Sequence, residues 1–194
     1  MVPLGRGAPV NWLIVGLGNP GSEYDRTRHN VGSEIARTLI DRWQLPKPKQ
    51  RFKGLLSDGR ITGPTHPGPR RAVLLPQTYL NDAGQSVGPA RGALQVDLDH
   101  VLVLHDEIDL PFGEIRVRLG GGLAGHNGLK SLRQGLGSAD FGRVRVGVGR
   151  PPTTDPDRVA AYVLGRFSQP RADVEMLVDE AADAAERVVR DGLS

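Results

Sequence analysis

Two residue types able to move a proton at neutral pH, His29 and Asp106, stand far apart in the chain, as do three amide side chains, Asn19, Asn81 and Asn127. A histidine held by a carboxylate is a general base poised near pH 7. The carboxylate selects the tautomer and stabilises the imidazolium that forms. The chain has no cysteine, so no thiol nucleophile is available, and water is the natural attacking group. Asparagine amides are neutral donors suited to a developing oxyanion, and a helix starting at Asn127 would add its partial positive charge. The combination reads as a hydrolase with His29 as base.

Each residue also has a plainer reading. Asn19 lies in Asn-Pro-Gly, a turn sequence. Asn81 could bond within its own loop, and Asn127 reads as a helix N-cap. His105 and Asp106 are strand neighbours and face opposite ways, so only one can point at the site; Asp106 is the choice. His126 reads as structural. No His-x-x-x-His or comparable ligand pair accompanies His29 and Asp106, so no metal and no cofactor is expected.

The elements that must bring these residues together follow from periodicity. Trp12–Gly16, residues 72–75 and residues 101–104 are short apolar runs that read as buried strands. Residues 114–119 and 143–149 alternate and read as half-exposed strands. Residues 52–61 predict a hairpin turning at Asp58-Gly59, and residues 63–69 a loop. Helices are predicted over about residues 30–43, 83–94, Asn127–Leu136, Pro156–Leu164 with Asp155 as cap, and 171–190. Glycines and Pro89 weaken the second of these. Strands alternating with helices predict an α/β fold: one three-layer domain over residues 12–194, its twisted, mostly parallel mixed sheet flanked by helices on both faces. Residues 1–11 are expected to form a flexible extension without a secretory h-region. In such sheets functional groups gather beyond the carboxyl ends of the strands, where each candidate here falls.

Composition sets limits. Of 194 residues, 38% are hydrophobic and 24% charged, as in ordinary globular proteins, and no apolar run approaches a membrane span. A cysteine-free chain of this kind is expected in the cytoplasm. The net charge of +3 is too small for a protein that coats nucleic acid. Only four of the 25 basic residues are lysine; phosphate recognition would favour such an arginine excess, and so would codon bias. Gly16-Leu-Gly18-Asn-Pro-Gly21 has the spacing of a dinucleotide fingerprint, but Pro20 and Glu23–Arg26 give no helix to carry the pyrophosphate, so nicotinamide binding is not expected.

Five ordered segments carry a family resemblance: GLGNPGSEYDRTRHNVG from Gly16, LPQTYLNDAG from Leu75, HDEIDLPFG from His105, GGGLAGHNGLKS from Gly120 and FGRVRVGVGRP from Phe141. They resemble the bacterial-type peptidyl-tRNA hydrolases from Trp12 to the last helix. The resemblance implies a monomer that cleaves the ester between a peptide and the 3′-terminal ribose of tRNA. His29 stands at the family's catalytic histidine and Asp106 at its partner carboxylate. Asn19, Asn81 and Asn127 match substrate-binding asparagines, Tyr24 matches a residue contacting the tRNA end, and Tyr79 joins the substrate set. Arg118 and Arg145 fall at positions that hold tRNA phosphates, and Lys130 is a candidate for the same surface. A non-catalytic RNA-binding relative of the same fold is the alternative. Three positions depart from the family pattern. Leu80 replaces a frequent Met, Arg118 a frequent Lys, and Leu123 a common polar residue, the last bearing on a rim contact.

Overall fold

The computed structural model describes residues 10–61 and 68–193. Seven strands make one sheet: β1 (Trp12–Gly16), β2 (Lys49–Arg51), β3 (Gly54–Arg60), β4 (Arg70–Pro76), β5 (Val101–Glu107), β6 (Ile115–Leu119) and β7 (Gly142–Gly147). Their order is β2-β3-β4-β1-β5-β7-β6. The four central strands pair in parallel, while β3 and β6 run against their neighbours, so five of the seven strands point one way. The helices are α1 (Val31–Arg42), α2 (Gly84–Leu94), α3 (Asn127–Leu136), α4 (Pro156–Leu164) and α5 (Arg171–Asp191). The mostly parallel mixed sheet expected from the sequence is therefore present, with helices on both faces.

Strand alternation divides the core in two. Ile14, Val73, Leu102, Leu104 and Val144 pack with α1 and α5 on one face. Leu13, Val15, Leu74, Val101 and Val103 pack with α2 and α3 on the other. The crossover from β4 to β5 passes over β1, so the carboxyl ends of β1, β4 and β5 meet at a topological switch point, which opens a crevice there.

Two close approaches set the geometry of that crevice. A Cβ on Gly32 would collide with the carbonyl oxygen of Leu104, so only glycine lets the start of α1 rest on β5. At the α2–α3 crossing a Cβ on Gly84 would strike the Ser131 carbonyl, and one on Gly135 the Gly84 carbonyl. Two of the glycines that weaken α2 as an isolated helix, Gly84 and Gly88, are thus what lets α3 approach it.

Two local expectations are corrected. Asp58-Gly59 does not turn: β3 runs through it, pairing Asp58 with Ala72 and Gly59 with Arg71 in an unbroken register against β4. The turn falls earlier, at Phe52-Lys53, with φ of 55° and 50°. Left-handed φ at both central residues is what a type I′ hairpin turn demands, even from residues that bear it at a cost of about 1–2 kcal/mol each. Asn127 is the first residue of α3, not its cap; His126 is the cap, its ring accepting from the Leu129 amide. Val10 is buried and the Asn11 amide donates to the Arg70 carbonyl at 2.9 Å, so the packed chain starts just before β1. The rest of the expected N-terminal extension, residues 1–9, and most of the expected loop at 63–69 lie outside the described residues.

Candidate active site

The crevice at the switch point is a cleft of ≈ 770 Å³. Asn19, Tyr24, His29, Tyr79, Asn81, Asp106 and Asn127 all line it, so the seven candidates for chemistry and substrate binding converge from separate segments. One wall is apolar, made by Val159, Ala160 and Val163 of α4 with Leu80 and Ile108 opposite.

Asp106 is the hub. Its carboxylate lies near the end of β5, with a side chain 1% exposed. Oδ2 lies 2.7 Å from His29 Nδ1 and Oδ1 lies 2.9 Å from His126 Nε2. A carboxylate accepts, so His29 carries its proton on Nδ1 and the neutral ring keeps its lone pair on Nε2, which no described residue engages. His126 is fixed twice: its Nδ1 accepts from the Leu129 amide at 3.2 Å, so its proton is on Nε2 and is donated to Asp106. His105, next along β5, donates from Nδ1 to the Asp106 carbonyl at 2.9 Å and packs its edge against His126.

Charge follows from this arrangement. Burial opposes ionisation of Asp106, but the charges of His29 and His126 and hydrogen bonds from both outweigh it and hold the carboxyl below its ordinary value. Burial alone would lower the His29 imidazole; the Asp106 charge and hydrogen bond exceed it and raise the group above 6.5. His105, wholly buried beside His126, is pushed down to about 3 and stays neutral.

Asn19 is oriented by its neighbours. The Leu80 amide donates to Asn19 Oδ1 at 2.7 Å, and only an oxygen can accept there, so the Nδ2 donor is left for the cleft. Asn30 clamps the same turn, accepting from the Asn19 amide at 2.8 Å and donating to its carbonyl at 2.9 Å. The segment before His29 is tied to α4. The Arg28 guanidinium lies 3.8 Å over the Tyr162 ring and donates to the Tyr162 carbonyl at 2.8 Å, at the electronegative end of that helix.

His29, Asp106 and His126 also offer three potential metal-ligand atoms within 4.8 Å of one another. Both carboxylate oxygens are already accepting from the two imidazoles, so a cation would have to replace both hydrogen bonds. Acceptance from the Leu129 amide holds His126 in the tautomer that donates, and this favours the hydrogen-bonded triad.

A family model described as peptidyl-tRNA hydrolase matches residues 13–194. The peptidyl-tRNA hydrolase of Kineococcus radiotolerans is 44% identical over 185 residues, covering 93% of this chain and 92% of that protein. The enzyme of the same name from Mycobacterium sp. strain KMS is 46% identical over 185 residues, with the same coverage. The chain belongs to the peptidyl-tRNA hydrolase family. The crystal structure of the peptidyl-tRNA hydrolase from Acinetobacter baumannii superposes with a TM-score of 0.80 at 38% identity, covering 95% of this chain and 90% of that one.

Within this peptidyl-tRNA hydrolase fold the three basic candidates lie outside the cleft. Lys130 lines a second groove of ≈ 560 Å³ with Ser131, Arg133 and Gln134, and Asn81 and Asn127 line both hollows. Arg118 is exposed on β6 and makes no ion pair among the described residues. Arg145 is half-buried and pairs with Glu107 at 3.0 Å. Between them, Arg143 is buried and donates to the carbonyls of Gly122, Gly121 and Ala139, pinning the glycine-rich loop that leads to His126. Of the departures, Leu80 is buried at the cleft and Leu123 packs against the α2–α3 core.

Sequence reasoning missed His126, Arg28 and Arg143. His126 has a local signal, since it directly precedes Asn127 in a glycine-rich loop. Arg28 and Arg143 have none, because each acts on carbonyls remote in sequence or in a neighbouring loop.

Proposed function

We propose that His29 is the base that activates water for hydrolysis of the ester of peptidyl-tRNA, the activity of the family to which the chain belongs. Asp106 holds the His29 Nδ1 proton, leaving Nε2 to take a proton from water as oxygen attacks the ester carbonyl. Nδ2 of Asn19 and the amide of Asn127 donate to the oxyanion and orient the water. As the tetrahedral intermediate collapses, His29 returns the proton to the departing ribose oxygen, giving a peptide carboxylate and free tRNA. Tyr24, Tyr79 and Asn81 contact the terminal nucleotide and the peptide. Arg118, Lys130 and Arg145 meet tRNA phosphates outside the cleft. The chain works as a cytoplasmic monomer, in keeping with the absence of any helix long and apolar enough to cross a membrane among the described residues.

The observation that carries this reading is the 2.7 Å contact between His29 Nδ1 and Asp106 Oδ2 inside a substrate-sized cleft. It is tested by release of N-blocked amino acid from charged tRNA. His29→Ala is expected to lose nearly all turnover; near-normal turnover would remove His29 from the chemistry.

A further inference from the structure

The two faces of the sheet differ in charge as well as in packing. α5 carries seven acidic residues against three basic ones. α2 and α3 together carry Arg91, Lys130 and Arg133 and no acidic residue. The small net charge of +3 therefore averages over an acidic side and a basic side.

The basic side reaches both edges of the sheet. Residues directly opposite across a ladder share a face. At one edge, Arg116 and Arg118 of β6 oppose Arg145 and Arg143 of β7. The latter two alternate with Val144 and Val146, which belong to the α1–α5 core, so all four arginines lie on the α2–α3 face. At the other edge, Lys49 opposes Leu56, which belongs to the α2–α3 core, and Arg51 opposes Gly54. Lys49 and Arg51 therefore lie on this same face. Lys53 follows in the turn and donates to Gln85 of α2 at 3.2 Å.

Lys47, Lys49, Arg51 and Lys53 are all exposed, and none makes an ion pair among the described residues. No acidic residue occurs between Lys47 and Leu56. This short hairpin and the two residues before it hold three of the chain's four lysines. It stands beside the cleft, since the Gln77 amide donates to the Lys53 carbonyl at 2.9 Å, two residues before Tyr79.

We infer that the β2–β3 hairpin is a second phosphate-binding edge, and that the tRNA body lies across the α2–α3 face between it and the β6–β7 arginines. The inference rests on the proposed function, which brings a nucleic acid to the cleft. With six strand spacings between β2 and β6, the edges are roughly 28 Å apart. A single phosphate meets only one edge. A nucleic-acid duplex, charged along its whole length, meets both. The groove of Lys130 and Arg133, joined to the cleft through Asn81 and Asn127, continues the track between them. Contacts of this type read charge and not sequence, so they serve every tRNA alike.

The test compares wild type with Lys49→Gln/Arg51→Gln, which keeps the Lys53–Gln85 bond, and with a triple variant adding Lys53→Gln. Hydrolysis of full-length peptidyl-tRNA is measured across a salt series, beside an N-blocked aminoacyl ester of a short 3′-terminal oligonucleotide. Binding of uncharged tRNA and of anionic phosphatidylserine vesicles is measured directly. For full-length substrate KM is expected to rise about fivefold or more at low salt, with kcat unchanged and the log KM–log salt slope shallower by about one or more. The short substrate is expected to be turned over as by wild type. Unchanged KM and tRNA affinity would overturn the inference, as would an equal loss on the short substrate, or a loss confined to vesicle binding. Wild-type protein that binds tRNA through the hairpin but hydrolyses nothing would overturn the proposed function and leave the second edge standing.

Discussion

The surroundings of Asp106 and the outer surface of α2 and α3 adjoin at Asn81 and Asn127, yet they handle charge in opposite ways. Around Asp106 the charge is buried and each carboxylate oxygen has a ring donor whose tautomer is set by geometry. On the α2–α3 side cations outnumber anions and most are open to solvent. A buried polar group is costly unless fully bonded, so the first region is rigid and specific. Exposed cations are screened within about 8–10 Å at ordinary salt, so the second acts through number and spread. The first is built to change a rate and the second to change an affinity.

The sharpest break of that comparison is Asp106→Asn. The amide can present an NH2 to His29 Nδ1 and favour the tautomer with the proton on Nε2, where the base is needed. Turnover should fall on the order of 10³-fold or more, by analogy with the serine-protease triad, while KM changes little. The pH profile gives a second readout. The base must be unprotonated and the Asp106 contact raises His29 above 6.5, so wild-type rate should climb with pH through an inflection above 6.5. Residual Asp106→Asn activity should inflect at lower pH; an unmoved inflection would mean that Asp106 does not set the His29 charge.

His126→Phe should have an intermediate effect. It keeps a ring at the site and removes the donor to Asp106 Oδ1 and the cap of α3. About a tenfold loss in kcat is expected, comparable to a weakened catalytic donor. A carboxylate relieved of one donor attracts the His29 imidazolium more strongly, so the pH inflection should move up. A fall in thermal stability alone, with kcat and inflection intact, would reduce His126 to a helix cap.

The smallest effects belong to the basic surface. Arg118→Gln should raise KM for tRNA about three- to fivefold at low salt and flatten its salt dependence by about one unit of slope, leaving stability unchanged. Arg145→Gln should do the same and also destabilise the fold, because it leaves the buried Glu107 carboxylate without its partner. Equal melting temperatures for the two variants, or an unchanged salt response in the double variant, would erase the distinction drawn between them.

The chain's local code accounts for much of this architecture. Apolar runs produced β1, β4 and β5, and 3.6-residue periodicity produced α1 and α5. Asp155 caps α4 as expected, its carboxylate accepting from the Asp157 amide. The motifs also named Asn19, Tyr24, His29, Tyr79, Asn81, Asp106 and Asn127, which meet in the cleft, but not His126, because the named residues follow strands on the side where α/β sheets open.

What escaped local reading depends on partners distant in sequence. Asp58-Gly59 has strong turn chemistry, but seven paired positions between β3 and β4 outweigh it and move the turn to Phe52-Lys53. Gly84 and Gly88 of α2 look like helix breakers until α3 is seen lying against them. His126 becomes part of the centre only because α3 begins beside β5, and Lys49 joins Arg118 on one surface only through the sheet's strand order. Residue types, periodicity and motif order were thus determined by the sequence alone, since they are properties of neighbours along the chain. Which tautomer each histidine holds, and which side of the molecule gathers the unpaired cations, were decided by the tertiary structure, since hydrogen bonds and strand pairing join residues far apart along it.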